Sequence, residues 1–282
     1  LRLGSESKLL LDPLLDAIAT IKLDPDTVVN GDVAIAALPS TRRVDNKALA
    51  VEGHNHATGV WEPPARGQQY DQFQVGVQLA NRSGALNEYG FSEFTLKAQA
   101  FADQVNGTAY MPDMAEEVAR ARELDQFASP LDARLSFLLR ARQVAWSSGY
   151  LHQCAAHYGF VPGMLPGRMV LPASVEGNPP ILSLEYDTQA ALADDLEKSA
   201  VYEVVLTLEV PYVAREEQAF ARMCEIAHAL ANDMNGTIVD GEGRHITDED
   251  MQAISQDLEG LYDQLQSRDF AAGSVLARRL FS

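Results

Sequence analysis

The sequence repeats itself at the scale of a domain. FADQVNGT at residues 101–108 reappears as LANDMNGT at 230–237, and each version ends an amphipathic helix. Upstream, Leu15-Asp-Ala17 returns as Leu131-Asp-Ala133, each time before an apolar strand. The offset of about 115 to 130 residues is too long for a solenoid repeat and has the length of a whole domain. The chain is therefore predicted to contain two copies of one α+β domain.

The repeat also predicts the domain boundaries. We expect a tail at residues 1–13, a first copy at 14–128, a second copy at 131–267 and a C-terminal tail at 268–282. A domain of about 130 residues is large enough to bury a core of its own. Each copy has the order strand, helix, strands, helix, helix, which predicts a mainly antiparallel sheet with helices on one face.

One strand in each copy has a clear two-residue periodicity, which predicts a strand with one buried face. The side chains expected to point inward are Phe73, Val75, Val77 and Leu79 in the first copy and Val204, Leu206, Leu208 and Val210 in the second. The sequence also predicts where several helices begin or end. Asn106-Gly107 and Asn235-Gly236 have the composition of helix stops, and Thr247 that of an N-cap before a helix to about residue 266.

The net charge limits the partners. With 22 Lys+Arg against 40 Asp+Glu, the chain has a formal charge of −18, which repels nucleic acid and anionic membrane surfaces. The two cysteines, Cys154 and Cys224, are far apart in sequence and predict reduced thiols. No apolar run is long enough to cross a bilayer. The chain begins with Leu1 rather than Met, so we expect its natural N-terminus to lie upstream.

No catalytic or cofactor-binding motif is present in either copy. His54 and His56 have the spacing of some metal ligands, but no Cys or Asp stands near them in sequence, and a solvated loop is the expected structure. Cys154 has no neighbouring base, and the acids at 240–250 do not fit a calcium-binding loop. We therefore predict no enzyme activity, no cofactor and no metal, and a function in binding.

The second copy resembles the C-terminal FtsZ-binding domain of the ZipA family of bacterial cell-division proteins. The similarity runs from residue 135 to about 265, and none of its motifs is catalytic. They are the strand end Leu208-Glu-Val-Pro211, the alanine-rich helix 220–234, the GTIVD segment 236–240, Ile246-Thr247, and the Gly149 helix with its Tyr158-Gly-Phe160 exit. The tail 272–282 and the duplication are similar to the double-domain form of beta-proteobacteria. The first copy matches mainly through 73–79 and 101–108.

The resemblance implies a peptide-binding groove. Members of the family hold the C-terminal peptide of FtsZ against the sheet face that carries no helices, where an amphipathic peptide can order on binding. Carried over by position, the groove residues are Leu135, Phe137, Leu165, Gly167, Val205 and Thr207. Glu185 and Asp187 also fall there, although the family's groove is apolar. Phe137→Ala is then expected to weaken binding and to leave folding largely intact. Gln74 and Gly76 are the first-copy equivalents of Val205 and Thr207.

The resemblance further implies a non-enzymatic adaptor that binds FtsZ and helps to tether the Z ring. Its expected place is the cytoplasmic face of the inner membrane at the division septum, reached only through an N-terminal anchor absent from this chain. One alternative is a tandem domain that keeps the fold, has lost FtsZ, and serves as a structural or ligand-sensing module. Another is that Leu135, Phe137 and Val205 are ordinary sheet residues covered by the neighbouring domain.

Overall fold

The computed structural model describes residues 11–282. The chain divides into two compact units between Pro130 and Leu131. Of the expected N-terminal tail, residues 1–10 lie outside the described part. We call residues 11–130 the first unit and residues 131–281 the second unit.

The first unit is built on an antiparallel sheet with the strand order β3-β4-β6-β1-β9. Short strands extend it, with β2 paired to β6 and β5 to β4, and β7 and β8 form a separate hairpin. The strands are β1 Asp16–Lys22, β2 Val29–Asn30, β3 Arg43–Val44, β4 Lys47–Asn55, β5 Trp61–Glu62, β6 Gln69–Gln78, β7 Ala80–Asn81, β8 Gly84–Ala85 and β9 Thr108–Tyr110. The helices are α1 Gly31–Ala37, α2 Glu88–Gln104 and α3 Met114–Ala128.

The core of the first unit lies between this sheet and α2. Phe73, Val75 and Val77 of β6 are fully buried, as the alternation predicted. Their partners on β1 are the equally buried Ile21, Ala19 and Ala17. The ring of Phe73 meets Phe101 of α2 edge-on, with 5.2 Å between centroids. Helices α1 and α3 both contact α2.

The second unit has a six-stranded antiparallel sheet with the order β11-β12-β13-β14-β10-β15. The strands are β10 Arg134–Ala141, β11 Val161–Pro162, β12 Arg168–Leu171, β13 Leu182–Glu185, β14 Glu203–Glu209 and β15 Gly236–Val239. The helices are α4 Ser148–His157, α5 Thr188–Ala191, α6 Ala219–Asp233, α7 Asp248–Ser267 and α8 Val275–Leu280.

The core of the second unit lies between its sheet and α6. One row of side chains crosses four strands and no member is more than 2% exposed: Phe137, Leu206, Leu184 and Met169. Phe137 meets Phe220 of α6 with 6.0 Å between ring centroids. Helices α4 and α7 contact α6. The inward orientation predicted for Val204, Leu206 and Leu208 is confirmed, since all three are fully buried.

The predicted helix ends are also confirmed. Thr247 caps α7 and forms a capping box with Asp250, in which each side chain binds the other residue's backbone N–H. Asn106 and Asn235 follow α2 and α6 with φ angles of 55° and 51°. This left-handed conformation ends a helix and is tolerated by asparagine.

The C-terminal tail is more structured than predicted. Residues 268–282 include α8, and Phe270, Leu280 and Phe281 are each 1% exposed. The backbone N–H of Gly273 donates to the carbonyl of Pro211 at 2.8 Å, and the hydroxyl of Tyr212 donates to the carbonyl of Phe281 at 2.7 Å. The tail prediction is wrong because these apolar side chains complete a core, which short local patterns do not reveal.

Candidate functional site

The sheet of the second unit has one face that α6 does not cover. In an antiparallel pair, directly opposed residues point to the same side, so the strand register assigns every side chain to a face. Two rows lie opposite the core row. One contains Arg168, Glu185, Val205, Leu138 and Val239, and the other contains Val161, Val170, Ser183, Thr207 and Ser136. We call these two rows the open face of the second unit.

The open face is a mixture of apolar and polar side chains. Leu138, Val205 and Val170 are half-buried, while Thr207 is only 3% exposed. The hydroxyl groups of Ser136 and Thr207 are 3.2 Å apart. A guanidinium nitrogen of Arg168 lies 3.8 Å from a carboxylate oxygen of Glu185, which is an ion pair longer than a hydrogen bond.

A shallow cleft of about 200 Å³ lies on this side of the sheet. Its walls include Arg168, Glu185, Ser183 and Thr207 from the open face, together with the prolines at 179 and 180. Pockets for drug-sized ligands usually enclose about 300–1,000 Å³. The cleft has room for a few side chains of a peptide.

The structure places two of the six predicted groove residues on the open face. Val205 and Thr207 belong to its two rows. Leu165 is 65% exposed in the turn between β11 and β12. Gly167 is buried at the end of that turn with φ of +77°, and a β-carbon there would lie 2.6 Å from the carbonyl oxygen of Tyr186. Glycine at position 167 therefore allows the backbones of two strands to lie close together.

The prediction for Leu135 and Phe137 is wrong. Phe137 is 2% exposed and contacts α6, and Leu135 pairs with the fully buried Leu208 on the same covered face. Asp187 lies beyond the end of β13, and its carboxylate accepts the backbone N–H of Gln189 as the N-cap of α5. Successive side chains of a strand point to opposite faces of the sheet, so assigning a groove position one residue too early or too late puts its side chain on the wrong face.

Sequence reasoning missed Leu138, Val170, Val161 and Val239, the apolar residues that lie on the open face with Val205. A signal for Leu138 was present. Residues 137–139 are three consecutive apolar residues, so at least one of them must point away from the core. Pairing the alternation of β10 with the inward set Val204, Leu206 and Leu208 would have assigned Leu138 outward.

The corresponding face of the first unit is occupied by its own chain. Its central row contains Thr20, Gln74 and Glu52. Glu52 is 1% exposed, and its carboxylate accepts the backbone N–H of Leu11 at 2.6 Å and the side-chain amide of Gln74 at 2.7 Å. The side chain of Leu11 lies over Gly76, where a β-carbon would be 2.5 Å from its Cδ2.

His54 and His56 have a partner that the sequence did not indicate. Their Nδ1 atoms lie 2.7 Å and 3.1 Å from the two carboxylate oxygens of Asp71, which comes from the adjacent strand β6. Partial burial opposes ionisation of Asp71, but the hydrogen bonds from both imidazoles outweigh it and lower the pKa of this carboxyl. Within residues 11–282, no group of three or more His, Cys, Asp or Glu is arranged to hold a metal ion.

The cysteines have the character of structural thiols. Burial raises the pKa of Cys154, and burial together with Asp248 and Glu225 raises the pKa of Cys224 to about 11. A thiol with a raised pKa is a poor nucleophile at neutral pH, because the thiolate is the reactive form.

A comparison with protein families identifies part of the second unit. Residues 191–257 match the model of the ZipA C-terminal FtsZ-binding domain, which confirms the predicted resemblance for this segment. The match covers about a quarter of the chain and includes β14, α6, β15 and the first half of α7. Strands β10, β12 and β13, which complete the open face, lie outside it. No curated protein matches the chain. Among the described residues, no helix has the length and apolar character to cross a membrane.

Proposed function

We propose that this protein is a non-enzymatic cell-division adaptor whose second unit binds the C-terminal peptide of FtsZ on its open face. The observation that carries the proposal is the position of the family match. The matched strand β14 supplies Val205 and Thr207 to a sheet face that α6 does not cover. An uncovered face with half-buried apolar side chains is suited to an amphipathic partner.

The binding is proposed to be weak. Leu138, Val170 and Val205 offer a small apolar area, and the cleft beside them measures about 200 Å³. A disordered peptide loses conformational entropy when it orders on such a surface, and this cost reduces the net affinity. An affinity on the order of micromolar is expected.

We also propose that the first unit is a divergent copy of the second. The strand order β4-β6-β1-β9 of the first unit corresponds to β13-β14-β10-β15 of the second. In both, the first strand of the unit lies between the longest later strand and the short strand that follows a long helix. The repeated helix-ending motif supports the same origin.

The adaptor role includes a place at the membrane. We propose that the protein acts at the cytoplasmic face of the inner membrane at the division septum and helps to tether the Z ring there. The family match supports this assignment, since the matched domain is defined by FtsZ binding. The charge of −18 supports a protein partner rather than a nucleic acid.

Titration of a fluorescent FtsZ C-terminal peptide into the whole chain tests the proposal. Wild type should bind at micromolar concentration. Val205→Asp places a second carboxylate beside Glu185 and should weaken binding at least tenfold. Thr20→Asp places a carboxylate on the corresponding row of the first unit, one strand removed from the buried Glu52, and serves as the control, with an affinity equal to wild type. Circular dichroism of each variant checks that folding is retained.

Two outcomes would contradict the proposal. Absence of binding by wild type at millimolar peptide would favour a domain that has kept the fold without FtsZ. Loss of binding in Thr20→Asp, with Val205→Asp unaffected, would move the peptide site to the first unit.

A further inference from the structure

We infer that Glu185 holds the bound peptide by accepting one of its backbone N–H groups, in the way that Glu52 of the first unit holds Leu11. This inference rests on the proposed function, because it assigns a residue and a contact to the same open face. It makes a charged residue, rather than an apolar one, a determinant of where the peptide lies.

The contact between Glu52 and Leu11 in the first unit shows the geometry that we infer for Glu185 and the peptide. Leu11 lies on the sheet face opposite the core, with its backbone N–H 2.6 Å from one carboxylate oxygen of Glu52. The second oxygen of Glu52 accepts the amide of Gln74 at 2.7 Å, so the buried carboxylate has a donor on each oxygen. The leucine side chain covers Gly76, the neighbouring position on the central strand. One residue therefore supplies both a backbone donor and an apolar side chain.

The strand register makes Glu52 and Glu185 equivalent. Glu52 is paired with Gln74, and Glu185 is paired with Val205. Gln74 and Val205 in turn are paired with Thr20 and Leu138 on the first strand of each unit. The two carboxylates thus occupy the same row of the sheet, beside the same central strand and on the same face.

Glu185 is available for such a contact. Its side chain is 43% exposed, whereas Glu52 is 1% exposed beneath Leu11. The nearest nitrogen of Arg168 is 3.8 Å away, so this ion pair leaves room for a hydrogen bond to the carboxylate. A peptide that covers Glu185 removes water from it, and a carboxylate without water needs donors within hydrogen-bond distance. An extended peptide backbone provides them.

The comparison with Leu11 also predicts which type of peptide residue contacts Glu185. We expect the residue that donates its N–H to Glu185 to have an aliphatic side chain, as Leu11 does. The second unit has Thr207 where the first has Gly76, and its side chain fills the space that Leu11 uses. The aliphatic group is therefore expected to rest on Val205 and Leu138 beside Thr207, which makes the contact shallower.

A backbone ester scan of the FtsZ tail peptide tests the contact. Each peptide N–H is replaced in turn by an ester oxygen, and every peptide is titrated into wild type, Glu185→Gln and Glu203→Gln. In wild type, one ester should weaken binding by about tenfold, because a hydrogen bond to a charged group is lost. In Glu185→Gln the same ester should change binding by no more than about threefold, since the neutral amide is a weaker acceptor.

Glu203→Gln is the matched control. Glu203 lies on the same strand as Val205, and its carboxylate is held by Arg140 through nitrogens at 3.0 Å and 2.9 Å. The variant removes the same charge as Glu185→Gln and should keep the full tenfold ester effect. Comparing ester effects, rather than affinities, cancels the general influence of lowering the negative charge.

The outcomes separate this inference from the proposed function. If the parent peptide binds wild type but every ester has the same effect in wild type and Glu185→Gln, the contact with Glu185 is refuted and FtsZ binding stands. If the sensitive ester loses its effect in Glu203→Gln instead, a different carboxylate holds the peptide. If the parent peptide does not bind wild type, both proposals fail.

Discussion

Phe137 and Leu138 are adjacent in sequence and should respond in opposite ways to replacement by alanine. Phe137 is 2% exposed, pairs with the fully buried Leu206 and meets the ring of Phe220 at 6.0 Å. Replacing a core phenylalanine by alanine costs about 3–5 kcal/mol of unfolding free energy. A domain of this size is stable by about 5–15 kcal/mol, so Phe137→Ala should remove a large fraction of the stability of the second unit.

Leu138→Ala is the matched variant on the open face. Its side chain is half-buried, and we expect a loss of about 1 kcal/mol, because only part of the apolar surface of a leucine is withdrawn from water there. The same variant should weaken FtsZ peptide binding, whereas Phe137→Ala should affect binding only through the fraction of unfolded protein.

Urea denaturation followed by tryptophan fluorescence measures the difference. The chain has two tryptophans, Trp61 in the first unit and Trp146 in the second. Trp146 is 5% exposed and its indole N–H donates to the carbonyl of Met234 at 2.7 Å, so its emission reports unfolding of the second unit. A Trp61→Phe background removes the other signal. With a urea m-value of about 2 kcal/mol/M, Phe137→Ala should lower the midpoint by about 2 M.

The assignment of the two faces would be refuted by the reverse order. A midpoint for Phe137→Ala within about 0.3 M of the parent, together with a larger shift for Leu138→Ala, would place Phe137 on the exposed side. The same result would restore Phe137 as a groove residue and contradict the register between β10 and β14.

Two further predictions concern the second unit. Burial lowers the pKa of His152 from its ordinary value of 6.5, so the unfolded chain binds a proton at this residue more readily than the folded chain. The free energy of unfolding should therefore fall as the pH drops below about 6.5. The variant His152→Gln should show a smaller difference in unfolding free energy between urea titrations at pH 5.5 and pH 7.5. Gly167→Ala should destabilise the unit by more than Gly177→Ala. Both glycines have positive φ, of +77° and +88°, but only at 167 would a β-carbon meet a carbonyl oxygen, at 2.6 Å, whereas at 177 nothing lies within 4 Å. Equal urea midpoints for the two alanine variants would show that contact with Tyr186 is unimportant.

Much of the fold could be predicted because its signals are local. The inward set Val204, Leu206 and Leu208 follows from alternation within a single strand. The cap at Thr247 depends on residues one turn away, and the stops at Asn106 and Asn235 depend on a single residue each. Periodicity and capping depend on a few neighbouring positions, so they can be recognised in the sequence without knowledge of the fold.

The candidate site could be predicted only in part. Val205 and Thr207 were assigned through the resemblance, and the open face contains both. The resemblance placed Phe137 on the wrong face, because the residue was carried over by position and not by the pairing of β10 with β14. The contact of Asp71 with His54 and His56, and the seating of Leu11 over Gly76, join residues far apart in sequence. No local pattern indicates such pairs.

The sequence by itself determined that the chain repeats a domain-sized pattern, which strands alternate and where the principal helices end, because each of these depends on neighbouring residues and on side-chain polarity. It also determined a net charge of −18, which needs no structure. The tertiary structure alone decided the register of β10 against β14, and with it which side chains form the core and which lie on the open face. That decision depends on packing between residues about seventy positions apart, where a shift of one residue exchanges the two faces of the sheet.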